Sequence, residues 1–241
     1  MSGYERPMTE RLNLGRIRNP WVVVAAYNEA PVVGNVVSGI RRAGYAVVVV
    51  DDGSSDRTGD VALLAGAVVV RHPVNLGQGA ALQTGIDYAL EQRADALVTF
   101  DADGQHSPVA IAALLAAIEP PGIDFALGSR FLTGATVNLP VSRRILLGAA
   151  LWFTRASTGL PLTDTHNGLR AMTARGARAI SLRQNRMAHA SEILHQIAQS
   201  RLRFAEVPVN IEYSAYSLGK GQRISDALAI LIDLFARRLY R

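Results

Sequence analysis

The chain has no cysteine among its 241 residues. Disulfides and thiolate metal sites are therefore excluded, which suits a reducing compartment. Long apolar runs are missing too. The longest, Ile145 to Thr154 and Ala227 to Ala236, reach about half of the roughly 20 residues a membrane-spanning helix needs. No positively charged stretch followed by an apolar one opens the chain, so no signal peptide is expected. Aromatic residues are 6% of the total and do not interleave with the basic ones, which argues against a nucleic-acid partner. There is no Gly-x-Gly-x-x-Gly and no P-loop lysine around the one glycine-rich piece, Asn75-Leu76-Gly77-Gln78-Gly79. Neither a Rossmann dinucleotide site nor a Walker A loop is therefore expected. The piece reads either as a tight turn into a helix or as a ligand contact. Internal repeats and low-complexity tracts are absent.

What is present is a large apolar fraction, 49%, and a net charge of +5. The first supplies the core of one domain, with at most an extension. The second favours anionic partners such as phosphates or acidic lipid surfaces. Residues 1 to 19 are polar, carry four arginines and show no periodicity, so they read as an arm. From residue 20 apolar strands alternate with helices. Strands are predicted at Trp21 to Ala26, Tyr45 to Val50, Ala67 to Arg71, Ala94 to Phe100, Asp124 to Gly128 and Glu206 to Ile211. Helices are predicted from Pro31 to Ile40, up to Leu64, over Gly77 to Leu90, Pro108 to Ile118 and Ile145 to Thr154, and from His189. Strands alternating with helices of this length imply crossover units and a parallel sheet.

Several of these strands end on acids or amides: Asn28-Glu29, Asp51-Asp52, and Asp101 with Asp103. In an open α/β sheet, ligands collect at the carboxyl ends of the strands. Paired carboxylates there, beside Gln105 and His106, suit a hard divalent cation, and such a cation suits a diphosphate. The competing reading is that Asp103 caps the next helix and Asp101 only closes its strand. Ser55 or Asp56 can likewise cap a helix, which leaves Asp51 and Asp52 to be explained. A carboxylate in such a place can accept hydrogen bonds from a ribose or a base N–H.

Four segments in order resemble the motifs of family 2 inverting glycosyltransferases: Ala26-Tyr27-Asn28-Glu29, Val50-Asp51-Asp52-Gly53-Ser54, Asp101 to His106, and Gly128-Ser129-Arg130. The subgroup they resemble is the polyprenyl-phosphate one, like dolichol-phosphate-mannose synthase. The resemblance covers residues 20 to 215. It implies an α/β GT-A fold: a Rossmann-like, mostly parallel sheet flanked by helices. It further implies a nucleotide-sugar donor, such as a UDP- or GDP-sugar, and Mg²⁺ or Mn²⁺. Tyr27, Glu29 and Asp52 match nucleotide-contacting positions, and Ala25, Val50, Asp101 and Ala102 fall in the same segments. Asp103, Gln105 and Asp101 match the metal and diphosphate segment. Arg130 matches a phosphate-contacting arginine. Asp164, which opens Asp164-Thr165-His166-Asn167-Gly168-Leu169-Arg170, resembles a position near the reacting centre. Ala25 departs from the family, which often has proline there, and Gln78 stands where many members carry Lys or Arg.

On the acceptor side, Arg143 and Arg144 precede the apolar helix Ile145 to Thr154. Arginine beside a short apolar helix can hold a phosphate near a lipid surface; an ordinary surface helix is the alternative. Relatives carry an arginine in the loop that here reads Tyr213 to Lys220, so Lys220 is left to meet phosphates. The expected acceptor is a polyprenyl phosphate, with Arg143 and Lys220 on its phosphate. A sugar hydroxyl is the alternative, and it would need a base such as Asp164 or Glu192. A catalytically silent subunit of a membrane complex is a further reading, carried by Gln78 and the missing loop arginine. His166 and His189 read as structural. Residues 216 to 241 read as an acceptor-side loop and an amphipathic helix, with Ile224, Leu228, Leu231 and Phe235 on one stripe. That helix can lie on anionic membrane, bind a small membrane protein or pack on its own domain. The expected location is cytoplasmic, peripheral at the inner face of the membrane.

Overall fold

A computed structural model describes residues 16–132, 141–165, 167–183 and 188–211, with side chains omitted for 141–147 and 188. Within these bounds there are seven strands and seven helices, alternating except that two helices precede the last strand. The strands are β1 (Pro20–Ala26), β2 (Ala46–Asp51), β3 (Val68–Arg71), β4 (Ala96–Asp101), β5 (Phe125–Ser129), β6 (Arg170–Thr173) and β7 (Phe204–Pro208). The helices are α1 (Ala30–Arg42), α2 (Thr58–Leu64), α3 (Gln78–Glu91), α4 (Val109–Ile118), α5 (Val141–Thr158), α6 (Ala174–Arg178) and α7 (Ala188–Ser200). The strands form one sheet in the order β3-β2-β1-β4-β6-β5-β7.

Both faces of the sheet are covered, which is why its central strands read as unbroken apolar runs. Val22 and Val24 of β1 face one core with Val33, Val37 and Ile40 of α1 and Ile111, Leu114 and Leu115 of α4. Val23 faces the other, with Leu82 and Ile86 of α3 and Ile193, Leu194 and Ile197 of α7. At Gly85 the approach of α3 to the sheet leaves no room for a side chain. A Cβ there would stand 2.3 Å from Val23 Cγ1.

Two features differ from the sequence reading. The segment at Arg170 is a strand, and β6 runs antiparallel to both β4 and β5. Four residues beginning with a charge carry no readable period; pairing on both sides makes this a strand. The last strand, β7, lies two residues earlier than predicted and pairs parallel with β5. The other strands differ by one or two residues at their ends, while α5 extends the predicted helix at both ends. Lys220, His166 and the predicted C-terminal helix lie outside the described residues.

The chain runs β1, β2, β3 outward, then returns to place β4 on the opposite side of β1. The carboxyl ends of β1 and β4 therefore flank the point where the strand order reverses, the place where open α/β sheets hold ligands.

Candidate active site

A cleft of about 360 Å³ opens at that reversal. Ala25, Ala26, Tyr27 and Glu29 line it from the end of β1, and Asp101, Ala102 and Asp103 from the end of β4. Asp52 and the loop into α3, with Asn75, Gly77 and Gln78, complete the wall. The register sets Ala25 opposite Asp101. Val50 is buried in β2, beneath the cleft rather than in its lining.

The nucleotide side is held by its own hydrogen bonds. Asn28 takes a left-handed φ of 54°, a conformation its short polar side chain tolerates. Its N–H donates to Ser54 Oγ at 2.9 Å, and its Oδ1 accepts from Ser55 N–H at 2.9 Å. Glu29 N–H donates to Thr58 Oγ1 at 2.8 Å. The loops after β1 and β2 are thus tied together. Asp51 turns to Arg71, whose Nε donates at 3.0 Å, and to Ser54 N–H. Asp52 turns the other way. It accepts from Leu76 N–H at 2.9 Å and Gly77 N–H at 2.8 Å, and hydrogen-bonds His72 Nδ1 at 2.7 Å. His72 Nε2 meets Thr84 Oγ1 of α3 at 3.0 Å. Three protein donors thus already meet the carboxylate expected to contact the nucleoside, and its visible task is holding the loop that walls the cleft. His72 was not anticipated: an isolated histidine in sequence does not announce a partner 20 residues away.

Asp103 is not a helix cap. Pro108 stands at the N-cap of α4, without a side-chain hydrogen bond. Asp103 accepts one bond, from Gln105 N–H at 3.0 Å. Burial, and then the charge of Asp101, push its carboxyl up to about 6. Burial also raises Asp101, but the hydrogen bond and charge of His106, with the charges of Arg170 and His189, outweigh it and hold Asp101 below the ordinary range. His106 Nε2 lies 3.1 Å from Asp101 Oδ2. That imidazole stacks edge-on against Phe100, with centroids 5.8 Å apart. A Cβ on Gly168 would stand 2.3 Å from Asp101 Oδ1, so only glycine lets the carboxylate stay where it is. Among the described residues no three His, Cys, Asp or Glu side chains gather as a metal cage. Asp101 and Asp103 present an open pair of hard-oxygen ligands to the cleft, and Gln105 meets Asp103 through its backbone N–H. The pair fits Mg²⁺ or Mn²⁺, which complete their shells with diphosphate oxygens and water.

On the far side of β4 the remaining residues behave differently. Arg130, just past β5, is buried and donates from Nε and Nη2 to Asp164, both at 2.7 Å. Burial raises the Asp164 carboxyl, but the Arg130 bonds and charge prevail and hold it low. Glu206 of β7 accepts from Thr163 N–H at 2.8 Å and so fixes the segment entering Asp164. Glu192 accepts from Arg183 N–H at 3.0 Å. Of Arg143 only the backbone is described, in the first turn of α5.

Comparison with known proteins bears on this geometry. The family model described as Glycosyl transferase family 2 matches residues 21–183. The chain is 29% identical over 240 residues to a UDP-N-acetylglucosamine–dolichyl-phosphate N-acetylglucosaminyltransferase of Methanococcus voltae, covering 91% of this chain and 96% of that one. It is 36% identical over 168 residues to an undecaprenyl-phosphate mannosyltransferase of Micrococcus luteus, covering 66% and 68%. Its fold is similar to glucosyl-3-phosphoglycerate synthase of Mycobacterium tuberculosis, solved with Mn²⁺, UDP and phosphoglyceric acid. The TM-score is 0.67 at 21% identity, covering 88% of this chain and 74% of that one.

Proposed function

The chain belongs to glycosyl transferase family 2, and we propose that it moves a sugar, with inversion, from a nucleotide-diphosphate donor to a polyprenyl phosphate. The observation that carries this reading is the Asp101 and Asp103 pair at the sheet's reversal point, facing an open cleft walled by Tyr27, Glu29 and Asp52. Relatives named for dolichyl and undecaprenyl phosphate support the acceptor class.

In this mechanism Tyr27, Glu29 and the loop held by Asp52 receive the nucleoside. Asp103, Asp101 and Gln105 would hold a Mg²⁺ or Mn²⁺ ion, which supplies positive charge against the leaving diphosphate. His106 and Gly168 fix the Asp101 carboxylate in place. An acceptor phosphate oxygen forms the new bond to the sugar's anomeric carbon as the bond to the diphosphate breaks. That oxygen is already anionic, so no strong base is needed. This matches the structure, because Asp164 is a poor base. Arg130 holds it bidentately and its pKa is depressed. A sugar-hydroxyl acceptor would demand a base, a role to which the Arg130-held Asp164 is poorly suited.

The transferase domain of this proposal spans residues 20–215, after an arm at 1–19, with Arg143 and Lys220 meeting the acceptor phosphate. No helix among the described residues is long and apolar enough to cross a membrane. A polyprenyl phosphate acceptor places the reaction at a membrane surface in this reading, with residues 216–241 assigned to the acceptor side. The test is a donor screen with purified protein, Mn²⁺ and a short polyprenyl phosphate. Formation of one lipid-linked sugar, abolished by EDTA, supports the reading. No product from any UDP- or GDP-sugar overturns it.

A further inference from the structure

Among the described residues, three buried side-chain atoms have no hydrogen-bond partner: His106 Nδ1, Asn167 Nδ2 and Arg170 Nη1. All belong to the shell around Asp101. His106 bonds that carboxylate, Asn167 adjoins the glycine pressed against it, and Arg170 acts on it by charge. Arg170 is the most unusual of the three. It is 3% exposed. Among the described residues its side chain makes no hydrogen bond or ion pair. Fully buried arginines are ordinarily paired. The two carboxylates whose charge reaches it, Asp101 and Asp164, are already engaged, by His106 and by Arg130.

Asn167, three residues before it in the chain, is 4% exposed. Its Oδ1 accepts from Leu169 N–H at 3.0 Å, which fixes the amide and leaves Nδ2 as the unused end. A Cβ on Gly128 would lie 3.3 Å from that nitrogen, so glycine there keeps the approach open. The sheet order gives the pair its place. The cleft lies over β2, β1 and β4, and β6, which Arg170 begins, is the next strand beyond β4. Arg170 and Asn167 are therefore on the side of Asp101 away from the nucleotide wall.

We propose that Arg170 and Asn167 receive the phosphate of the acceptor, a phosphate monoester, directly beside the reacting centre. The proposal rests on the transferase reading above and adds two donors for the acceptor's phosphate to Arg143 and Lys220. A guanidinium fork can bind two phosphate oxygens at once. The Asn167 amide supplies a further donor. The bound dianion gives Arg170 the countercharge that the protein withholds.

The test uses the full chain and its Arg170→Met, Arg170→Lys and Asn167→Leu variants. Calorimetry measures binding of farnesyl phosphate, glycerol 3-phosphate and farnesol, with UDP plus Mn²⁺ as the control ligand. Wild type is expected to bind farnesyl phosphate and not farnesol. Arg170→Met should weaken that affinity by about 10- to 100-fold, the scale of a charge-assisted bond. Arg170→Lys should recover part of the loss. Binding of UDP should stay within about threefold throughout. Glycerol 3-phosphate binding as tightly as farnesyl phosphate would support the site and make its ligand a soluble monoester; much weaker binding would support it as a lipid headgroup site. Methionine removes a buried charge, so its thermal midpoint should not fall below that of wild type. If it nevertheless fails to fold, Asn167→Leu carries the test, with a smaller loss expected. Unchanged farnesyl phosphate affinity in the folded variants overturns the proposal, as does an equal loss of UDP binding or a wild type that binds no phosphate probe. Arg170-dependent phosphate binding without sugar transfer would sink the transferase reading and keep the site. Transfer with Arg170-independent affinity would do the reverse.

Discussion

The two halves of the sheet's carboxyl edge are built on opposite principles. Over β2, β1 and β4 the polar groups satisfy one another. Asn28 meets Ser54 and Ser55, Asp51 meets Arg71, and Asp52 meets His72 and two backbone N–H groups. Beyond β4, Arg130 and Asp164 neutralise each other while Arg170 Nη1 and Asn167 Nδ2 are buried without hydrogen-bond partners. In the first half the walls after β1 and β2 are complete as they stand, so a donor enters a wall already formed. The second is incomplete, and a buried donor without an acceptor costs free energy until something accepts from it. This contrast teaches where specificity resides. The preformed half can be shared by any nucleotide-diphosphate chemistry, and the incomplete half is where the acceptor must match.

The harshest way to break the contrast is to damage the satisfied pair inside the incomplete half. Asp164→Ala would take from the buried Arg130 the carboxylate that it grips bidentately, at a cost of about 3–5 kcal/mol. Chemical denaturation measures it, and a loss under about 1 kcal/mol would show that solvent reaches Arg130. The pair also sets a pH dependence. The folded pKa of Asp164 is depressed below the unfolded value of about 3.9. Its contribution is therefore present in full above that value and disappears as the pH falls through the folded one. Wild type should lose stability on acidification more steeply than Asp164→Ala does.

Next in size is Asp103→Ala, which should leave the fold intact and reduce transfer by about 100-fold or more. Its side chain is only partly buried and makes one local bond, so the loss falls on chemistry. Circular dichroism should match wild type and denaturation should show no loss of stability, because a carboxyl pushed up to about 6 opposes folding at neutral pH. Near-normal turnover at saturating Mn²⁺ would remove Asp103 from the metal site.

The two halves were also unequally legible in the sequence. Strands buried on both faces are continuous apolar runs, and their ends are marked by the first polar residues. This made β1, β2 and β4 readable together with Tyr27, Glu29, Asp52, Asp101 and Asp103, all of which line the cleft. The other half depends on contacts distant in sequence. Arg130 and Asp164 are 34 residues apart. β6 exists because β4 and β5 flank it, and an arginine that begins a strand looks in sequence like one bound for solvent. Even in the legible half, the neighbours Asp51 and Asp52 read alike, though they turn to different partners. His72 escaped notice for the same reason.

The smallest expected effect sharpens the contrast from the satisfied side. His72→Ala removes one of the three protein donors to Asp52 and leaves the Leu76 and Gly77 N–H groups in place. It also strips Thr84 of its bond to the ring. The loss of one hydrogen bond to a buried charge is on the order of 1.5–3 kcal/mol. Part of that will appear as stability, because His72 is buried. The rest should appear in the loop Asn75 to Gly77, which Asp52 fixes against the cleft. Affinity for UDP with Mn²⁺ should fall by about tenfold, while turnover at saturating donor stays within about threefold, because nothing at Asp101 or Asp103 has moved. Thr84→Val gives the finer comparison: it keeps the side-chain shape, frees only Nε2 and should produce a smaller loss in the same direction. If His72→Ala lowers stability alone and leaves nucleotide affinity untouched, the loop holds its shape without Asp52. The nucleotide wall would then owe its form to backbone geometry rather than to the buried carboxylate and imidazole behind it.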